Sequence, residues 1–198
     1  MESTVLNPRD QARFRSLMEQ TYKKVFNLAY RLAGNRSDAE DLTQEAFFRA
    51  YRAFGDFEGD RPFENWIFRI VNRLFLDLMR TRSRRVQTVS YDAPVRTDRG
   101  EDMFSVEAAD HQPNPEAQML FDTMSEEVEE ALLRLKPEQR LLVLLADVEG
   151  MPYNEIAQVV GVPVGTVRSR LHRAHKALRQ HLTPAKPKGK AAVFCMVS

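Results

Sequence analysis

The 198-residue sequence predicts an all-α chain of two small helical domains joined by a flexible acidic linker, the second carrying a helix-turn-helix. Three observations predict it. Apolar residues recur at helical spacing in two separate blocks. Between them, from about Gln87 to Pro115, the period fails among Gly100, Pro94, Pro113, Pro115 and many Asp, Thr, Ser and Asn residues, the composition of an exposed linker. Charge is segregated along the chain: from Asp98 to Glu130 there are eleven acidic residues and a single basic one, Arg99. The expected boundaries are 1–86, a linker at 87–115, 116–183, and a tail without periodicity at 184–198.

The first helix is expected from Pro8 to Ala33. Phe14, Leu17, Met18, Tyr22, Val25, Phe26, Leu28, Ala29 and Leu32 fall at helical spacings, and Gly34 with Asn35 ends the run. Ser37 and Glu40 have the spacing of a capping box, so Ser37 is expected to cap a second helix through Phe54. Asp38, Asp41, Gln44 and Glu45 give that helix an acidic edge. Carboxylates near a helix start favour the dipole, which accounts for part of the edge without any partner.

A loop punctuated by Gly55, Gly59 and Pro62 follows, then a helix from about Glu64 to Arg80 with Ile67, Ile70, Val71, Leu74 and Leu78 as its core stripe. Between Arg61 and Arg85 lie seven basic residues against two acidic ones, and over the stretch from Phe54 to Arg85 the aromatics Phe54, Phe57, Phe63, Trp66, Phe68 and Phe75 are interleaved. Aromatic faces with guanidinium groups suit unpaired bases, because stacking accepts any base while arginine follows phosphate. Core packing explains most of these aromatics equally well. Phe57 is the exception, being in a glycine-bracketed loop with charged neighbours.

Helical pattern returns near Glu116, with Met119, Leu120, Met124, Val128, Ala131, Leu132 and Leu135 on one face until Pro137. From Pro137 to about Glu149 the run LLVLLADV is too short to cross a bilayer and is expected at the centre of a small helical domain. Next, a short helix starting near Pro152 carries Ile156, Val159 and Val160, and Gly161 supplies a tight turn. Val162 and Pro163 then open a helix whose stripe is Val167, Leu171, Ala174 and Leu178. Away from that stripe lie Arg168, Ser169, His172, Arg173, Lys176 and Arg179. From Gly161 to Lys190 there is no Asp or Glu. One apolar stripe beside a uniformly cationic face suits the major groove, where arginine forks match guanine edges and phosphates. A solvated basic helix has the same composition. The preceding helix and turn favour the DNA-binding reading.

Net charge of +1 excludes a globally basic coat. The acidic middle and basic end point either to domains with different jobs or to an intramolecular electrostatic contact. Cys195 is the only cysteine, which excludes disulfide frameworks and indicates a reducing compartment. With no membrane-length apolar run and no signal-peptide pattern, a cytoplasmic protein without membrane insertion is expected. His172 and His175 lie one helical turn apart, but a third ligand at Cys195 would sit in the tail, and a basic face repels cations. No metal or cofactor is therefore expected.

Two stretches carry a resemblance. LAGNRSDAEDLTQEAFFRAYRAFGDFEGDRPFENWIFRIVNRLFLDLMR resembles region 2 of the extracytoplasmic-function (group IV) RNA polymerase sigma factors, and LRLKPEQRLLVLLADVEGMPYNEIAQVVGVPVGTVRSRLHRAHKAL resembles their region 4. A helix-turn-helix alone is shared with repressors and activators; the ordered pair is far more specific. The resemblance implies an alternative sigma factor that binds core RNA polymerase, directs it to promoter DNA and helps open the duplex. It implies that Asp38, Asp41, Gln44 and Glu45 dock on the polymerase clamp helices. Phe57 would frame a flipped base of the −10 element, with Asn72 beside that pocket, Arg69 and Arg73 holding the strand, and Arg61 and Trp66 in the same set. Arg168, Ser169, His172 and Arg173 would read the −35 element, with Lys176 and Arg179 on phosphates. An inhibitory anti-sigma factor is the further partner implied. The competing readings are a repressor or activator acting without polymerase, and a helical enzyme. Against the enzyme, the sequence offers no metal-ligand cluster, no nucleophile with a base and no phosphate-binding glycine loop.

Overall fold

A computed structural model of the chain describes residues 6–59, 61–89 and 124–182. The central part of the expected linker, the stretch 116–123 and the tail with Cys195 lie outside these residues. Among the described residues every regular element is helical.

Helix α1 spans Pro8–Ala33, the expected bounds. Asn7 caps it by accepting the Asp10 amide at 2.9 Å, and Pro8 at the first position gives up no hydrogen bond. Gly34 ends it at φ +76°, its amide bonded to the Tyr30 carbonyl at 2.7 Å. Helix α2 spans Arg36–Arg52. Its cap is Asn35 rather than Ser37: the Asn35 side chain accepts the Asp38 amide at 2.9 Å from an extended backbone, so Ser37 falls inside the first turn. A 3-10 turn at Phe54–Asp56 leads to helix α3, Phe63–Val89. That helix runs nine residues past the expected end at Arg80, because TRSRRVQTV contains neither Gly nor Pro to break it. These helices close over a core of Val25, Leu28, Leu32, Ile67, Phe68 and Phe75, with Ala39, Ala46 and Ala50 letting α2 approach closely.

Among the described residues the second module opens with Ser125, the cap of helix α4, Glu126–Leu133. Met124 and Ser125 are not helical, and the first part of the helix expected from Glu116, 116–123, lies outside the described residues. Helix α5, Pro137–Val143, passes into a π-helical turn at Leu144–Val148, in which the Glu149 amide bonds the Leu144 carbonyl at 3.0 Å. Its five consecutive residues Leu141–Leu145 are all buried, which a single helical stripe could not achieve. Helix α6, Tyr153–Val160, and helix α7, Val164–Leu182, form the helix-turn-helix. Gly161 turns at φ +76° between them. Pro163 precedes α7 instead of occupying its first turn, its carbonyl accepting the Thr166 and Val167 amides at 2.9 and 3.1 Å. Ile156, Val159, Val167, Leu171 and Ala174 lock the pair together.

The two modules pack against each other, α3 meeting α5 and α6, and α1 meeting α4 and α5. Their buried apolar residues form one continuous cluster.

Candidate nucleic-acid interface

The loop after α2 folds its aromatics inward. Phe54 is buried, and Phe57 packs on it at 5.6 Å between centroids, on Phe63 at 5.6 Å and on Trp66 at 5.1 Å. The Arg13 guanidinium lies over Phe57 and Phe54, 5.6 and 5.8 Å from their centroids. Offset and edge-on aromatic pairs of this kind are worth about 0.5–1.5 kcal/mol each beyond burial, so the nest is held in shape before any ligand arrives. Phe57 is therefore half-buried, less free than its loop position suggested.

Beside it a cavity of about 150 Å³ is lined by Phe57, Arg61, Trp66 and Arg69 together with Asn65 and the loop acids Asp56 and Glu58. Four of the six residues expected to bind the −10 strand thus meet in one place. Asn72 and Arg73 do not line it. Asn72 is only 4 % exposed, and its Oδ1 finds no hydrogen bond among the described residues. Arg73 is exposed on α3. Asn65 was missed from sequence, although a polar residue between Phe63 and Trp66 in a helix's first turn is a signal that could have marked it. The cavity's far wall is Gln158 and Val159 of α6, from the other module.

On α2 the acidic edge divides. Asp38 is largely buried, bonded to Asn35 and paired with Arg82 of α3, so it ties helices together. Glu45 pairs with Arg49 at 2.7 Å. Asp41 and Gln44 are exposed. The same face continues to Phe48, which is 56 % exposed beneath the Arg52 guanidinium at 5.7 Å. Large exposed aromatics suit contact with a partner; helical spacing puts Phe47 on the buried stripe with Ala39, Leu42, Ala46 and Ala50, and Phe48 on the outer face with Asp41 and Gln44.

On α7 the cationic face is as expected: Arg168, Ser169, His172, Arg173, Lys176 and Arg179 are all exposed. Ser169 bonds back to the Thr166 carbonyl at 3.0 Å, and Arg173 to the Ser169 carbonyl at 3.3 Å. His175 turns away to Asp147 at 2.7 Å. Gly165, in the first turn, has nothing within 4 Å of where a Cβ would stand, so intramolecular packing does not require glycine there. Arg170 and Arg173 also edge an open cleft of about 720 Å³ against Arg80 and Arg84 of α3.

The perturbed ionisable groups lie along the seam between modules. Burial pushes the Arg140 guanidinium down to about 10. Burial raises the Glu149 carboxyl, opposed by Arg31 and Lys24 of α1 and reinforced by Glu64 of α3. Burial, with Glu129 nearby, raises the Tyr30 phenol. A hydrogen bond to Glu64 at 2.8 Å, more than any other cause, raises Lys24.

Comparison with known proteins gives this geometry a family. Residues 17–85 match Sigma-70 region 2, and residues 125–178 match Sigma-70 region 4. The chain is 42% identical over 167 residues to the ECF RNA polymerase sigma factor SigE of Mycolicibacterium smegmatis, covering 84% of this chain but only 60% of that protein's length. It is 33% identical over 173 residues to the ECF RNA polymerase sigma factor SigW of Bacillus subtilis, covering 87% of this chain and 90% of that one. The fold is similar to that of the Bartonella quintana sigma factor RpoE, crystallised with the anti-sigma factor NepR, at TM-score 0.63 and 24% identity over 88% of this chain and 99% of that one. No helix among the described residues is long and apolar enough to cross a membrane. Both sigma regions in order, with the Bacillus subtilis relative aligned over 90% of its length, place the chain in the extracytoplasmic-function family of RNA polymerase sigma factors.

Proposed function

We propose that the protein binds core RNA polymerase and directs promoter-specific initiation, reading the −35 element as duplex and the −10 element as melted strand. What carries this reading is the presence in one chain of two unlike nucleic-acid surfaces. One is a convex cationic helix of the right size for a major groove; the other is a small aromatic cavity flanked by Arg61 and Arg69. A convex helix grips a duplex but cannot hold an extruded base. A cavity of about 150 Å³ accommodates a base but not a duplex. Extruding a base costs a few kcal/mol, and stacking on Phe57 or Trp66 returns about 1–3 kcal/mol of it.

The exposed edge of α2, with Asp41, Gln44 and Phe48, is the surface proposed for polymerase. The polymerase supplies the catalysis, and this chain supplies the address and the capture of the open strand. An anti-sigma protein is the expected antagonist, as one accompanies the Bartonella relative. The test is run-off transcription with purified core polymerase on genomic fragments, followed by a footprint. Specific starts that require this chain support the reading. Specific duplex binding by the chain alone, with no stimulated transcripts, would replace it with a repressor or activator.

A further inference from the structure

The aromatic nest beside the strand cavity is also reached from the first half of α1. Phe14 is buried there and meets Phe54, Tyr51 and Phe63 edge-on, at 5.2, 5.4 and 6.0 Å between ring centroids. Those contacts fix the rotation of α1 about its axis, so the neighbouring Arg13 is delivered to the edge of the loop after α2. The Arg13 guanidinium lies over the rings of both Phe54 and Phe57. It also sits against the backbone of Gly59, where a Cβ would stand 2.7 Å from its Nη2. Gly59 turns at φ +77°, a left-handed dihedral that favours glycine, so the turn and the arginine fit one another. One side chain of α1 thus touches both ends of 57–59.

Arg13 does not line the cavity, whereas Phe57, Arg61, Trp66 and Arg69 do. Any effect of Arg13 on a captured base therefore passes through Phe57. The Phe57 amide bonds the Phe54 carbonyl at 3.0 Å, but residues 57–59 belong to no helix, so side chains must hold their shape. A ring that is already fixed loses less freedom when a base stacks on it, and that saving appears as affinity. A planar guanidinium suits the task because it stacks on aromatic faces as well as attracting them electrostatically. Nor does the family match account for this contact, since the stretch similar to Sigma-70 region 2 starts at residue 17.

We propose that Arg13 is a positioning residue for base capture, clamping Phe57 and the Gly59 turn in the shape that accepts the melted strand without touching DNA itself. The proposal rests on the assignment of the cavity to the strand. Arg13 is committed to two rings and a stretch of backbone, which leaves phosphate to Arg61 and Arg69 on the cavity wall. An exposed cation–π contact shifts an equilibrium by about two- to fivefold, so the clamp tunes promoter opening rather than switching it on or off.

The test uses holoenzyme reconstituted from core polymerase and the full-length chain, with permanganate reactivity as the measure of opening. Arg13→Met keeps an unbranched side chain without the charge, and Arg13→Lys keeps the charge without the plane. Opening should fall about two- to fivefold in Arg13→Met and less in Arg13→Lys, with affinity for an isolated −35 duplex unchanged in both. Trp66 is the chain's only tryptophan and lies 5.1 Å from Phe57, so acrylamide should quench its emission more readily in Arg13→Met. Adding Arg13→Met to Phe57→Ala should cost nothing further, because residues that act through one another are not additive. A full further loss in the double variant, with a shallower salt dependence, would make Arg13 a phosphate contact and overturn the clamp. Unchanged or increased opening in Arg13→Met overturns it too, as does a parallel loss of −35 affinity. If Phe57→Ala itself leaves opening intact, the strand reading falls and the clamp with it. A loss from Phe57→Ala with none from Arg13→Met rejects the clamp alone.

Discussion

The guanidinium of Arg140 donates to the carbonyl of Leu32, 108 residues earlier in the chain and in the other module. The same side chain bonds the Leu132 carbonyl at 3.0 Å and the Leu133 carbonyl at 2.6 Å. It therefore caps the C-terminal ends of α1 and α4 together, where the helix dipoles favour a cation. At 3 % exposure no water can replace it.

Arg140→Met should consequently destabilise the protein by about 3 kcal/mol, since it leaves several buried carbonyls without donors. Urea denaturation followed by circular dichroism checks this. A loss under about 1 kcal/mol would mean that the carbonyls find other partners.

Phe57→Ala should impair promoter opening far more than duplex binding. Removing one stacking face costs about 1–3 kcal/mol, or roughly five- to 150-fold in open complex. Permanganate reactivity of the melted region should fall accordingly, while holoenzyme affinity for an isolated −35 duplex stays unchanged. Equal losses in both measurements would contradict the division between the two surfaces.

Arg173→Ala should weaken −35 duplex binding by about 1–3 kcal/mol and relax preference at one base, provided Arg173 contacts a base edge. If it contacts only phosphate, all sequences should weaken alike and the salt dependence should become shallower. Competition binding with single-base operator variants at two salt concentrations separates these outcomes.

Gly165→Ala should move stability and binding in opposite directions. A Cβ there meets nothing within 4 Å, so the helix gains up to about 1 kcal/mol from replacing glycine. At the start of α7, however, the added methyl occupies space that a phosphate backbone would approach. A higher melting temperature with weaker duplex binding is expected, and unchanged binding would show that DNA does not come close at this turn.

Glu149 predicts a pH dependence of the packing between modules. Burial raises its pKa above the ordinary 4.5, against the opposing charges of Arg31 and Lys24 and with the help of Glu64. A carboxyl with a higher pKa in the packed state takes up a proton on packing. Its contribution is fully present below 4.5 and is lost as pH rises through the raised value. Scattering should therefore show more compact particles on acidification from neutrality towards pH 5, and Glu149→Gln should abolish that trend.

Much of the architecture was legible in the chain because the signals are local. Pro8 and Gly34 bound α1 through backbone geometry that needs no distant partner. Gly161 places the turn of the helix-turn-helix for the same reason, and the cationic face of α7 follows from 3.6-residue spacing. Local signals also misled where two were adjacent. Asn35 and Ser37 both suit a cap, and only the bond to the Asp38 amide selects Asn35.

Side chains a few positions apart were enough to set two helical modules in order, the turn between α6 and α7 and the cationic face of α7, since each depends on local spacing. Only the tertiary packing settled that Asp38 pairs with Arg82, that Asn72 is buried, that Asn65 lines the cavity, and that Glu155 accepts a hydrogen bond from Asn65. Those outcomes depend on how apolar surfaces from distant segments settle against one another. That packing determines which polar atoms lose water and which partners lie within a hydrogen bond of them, and no short-range pattern encodes it.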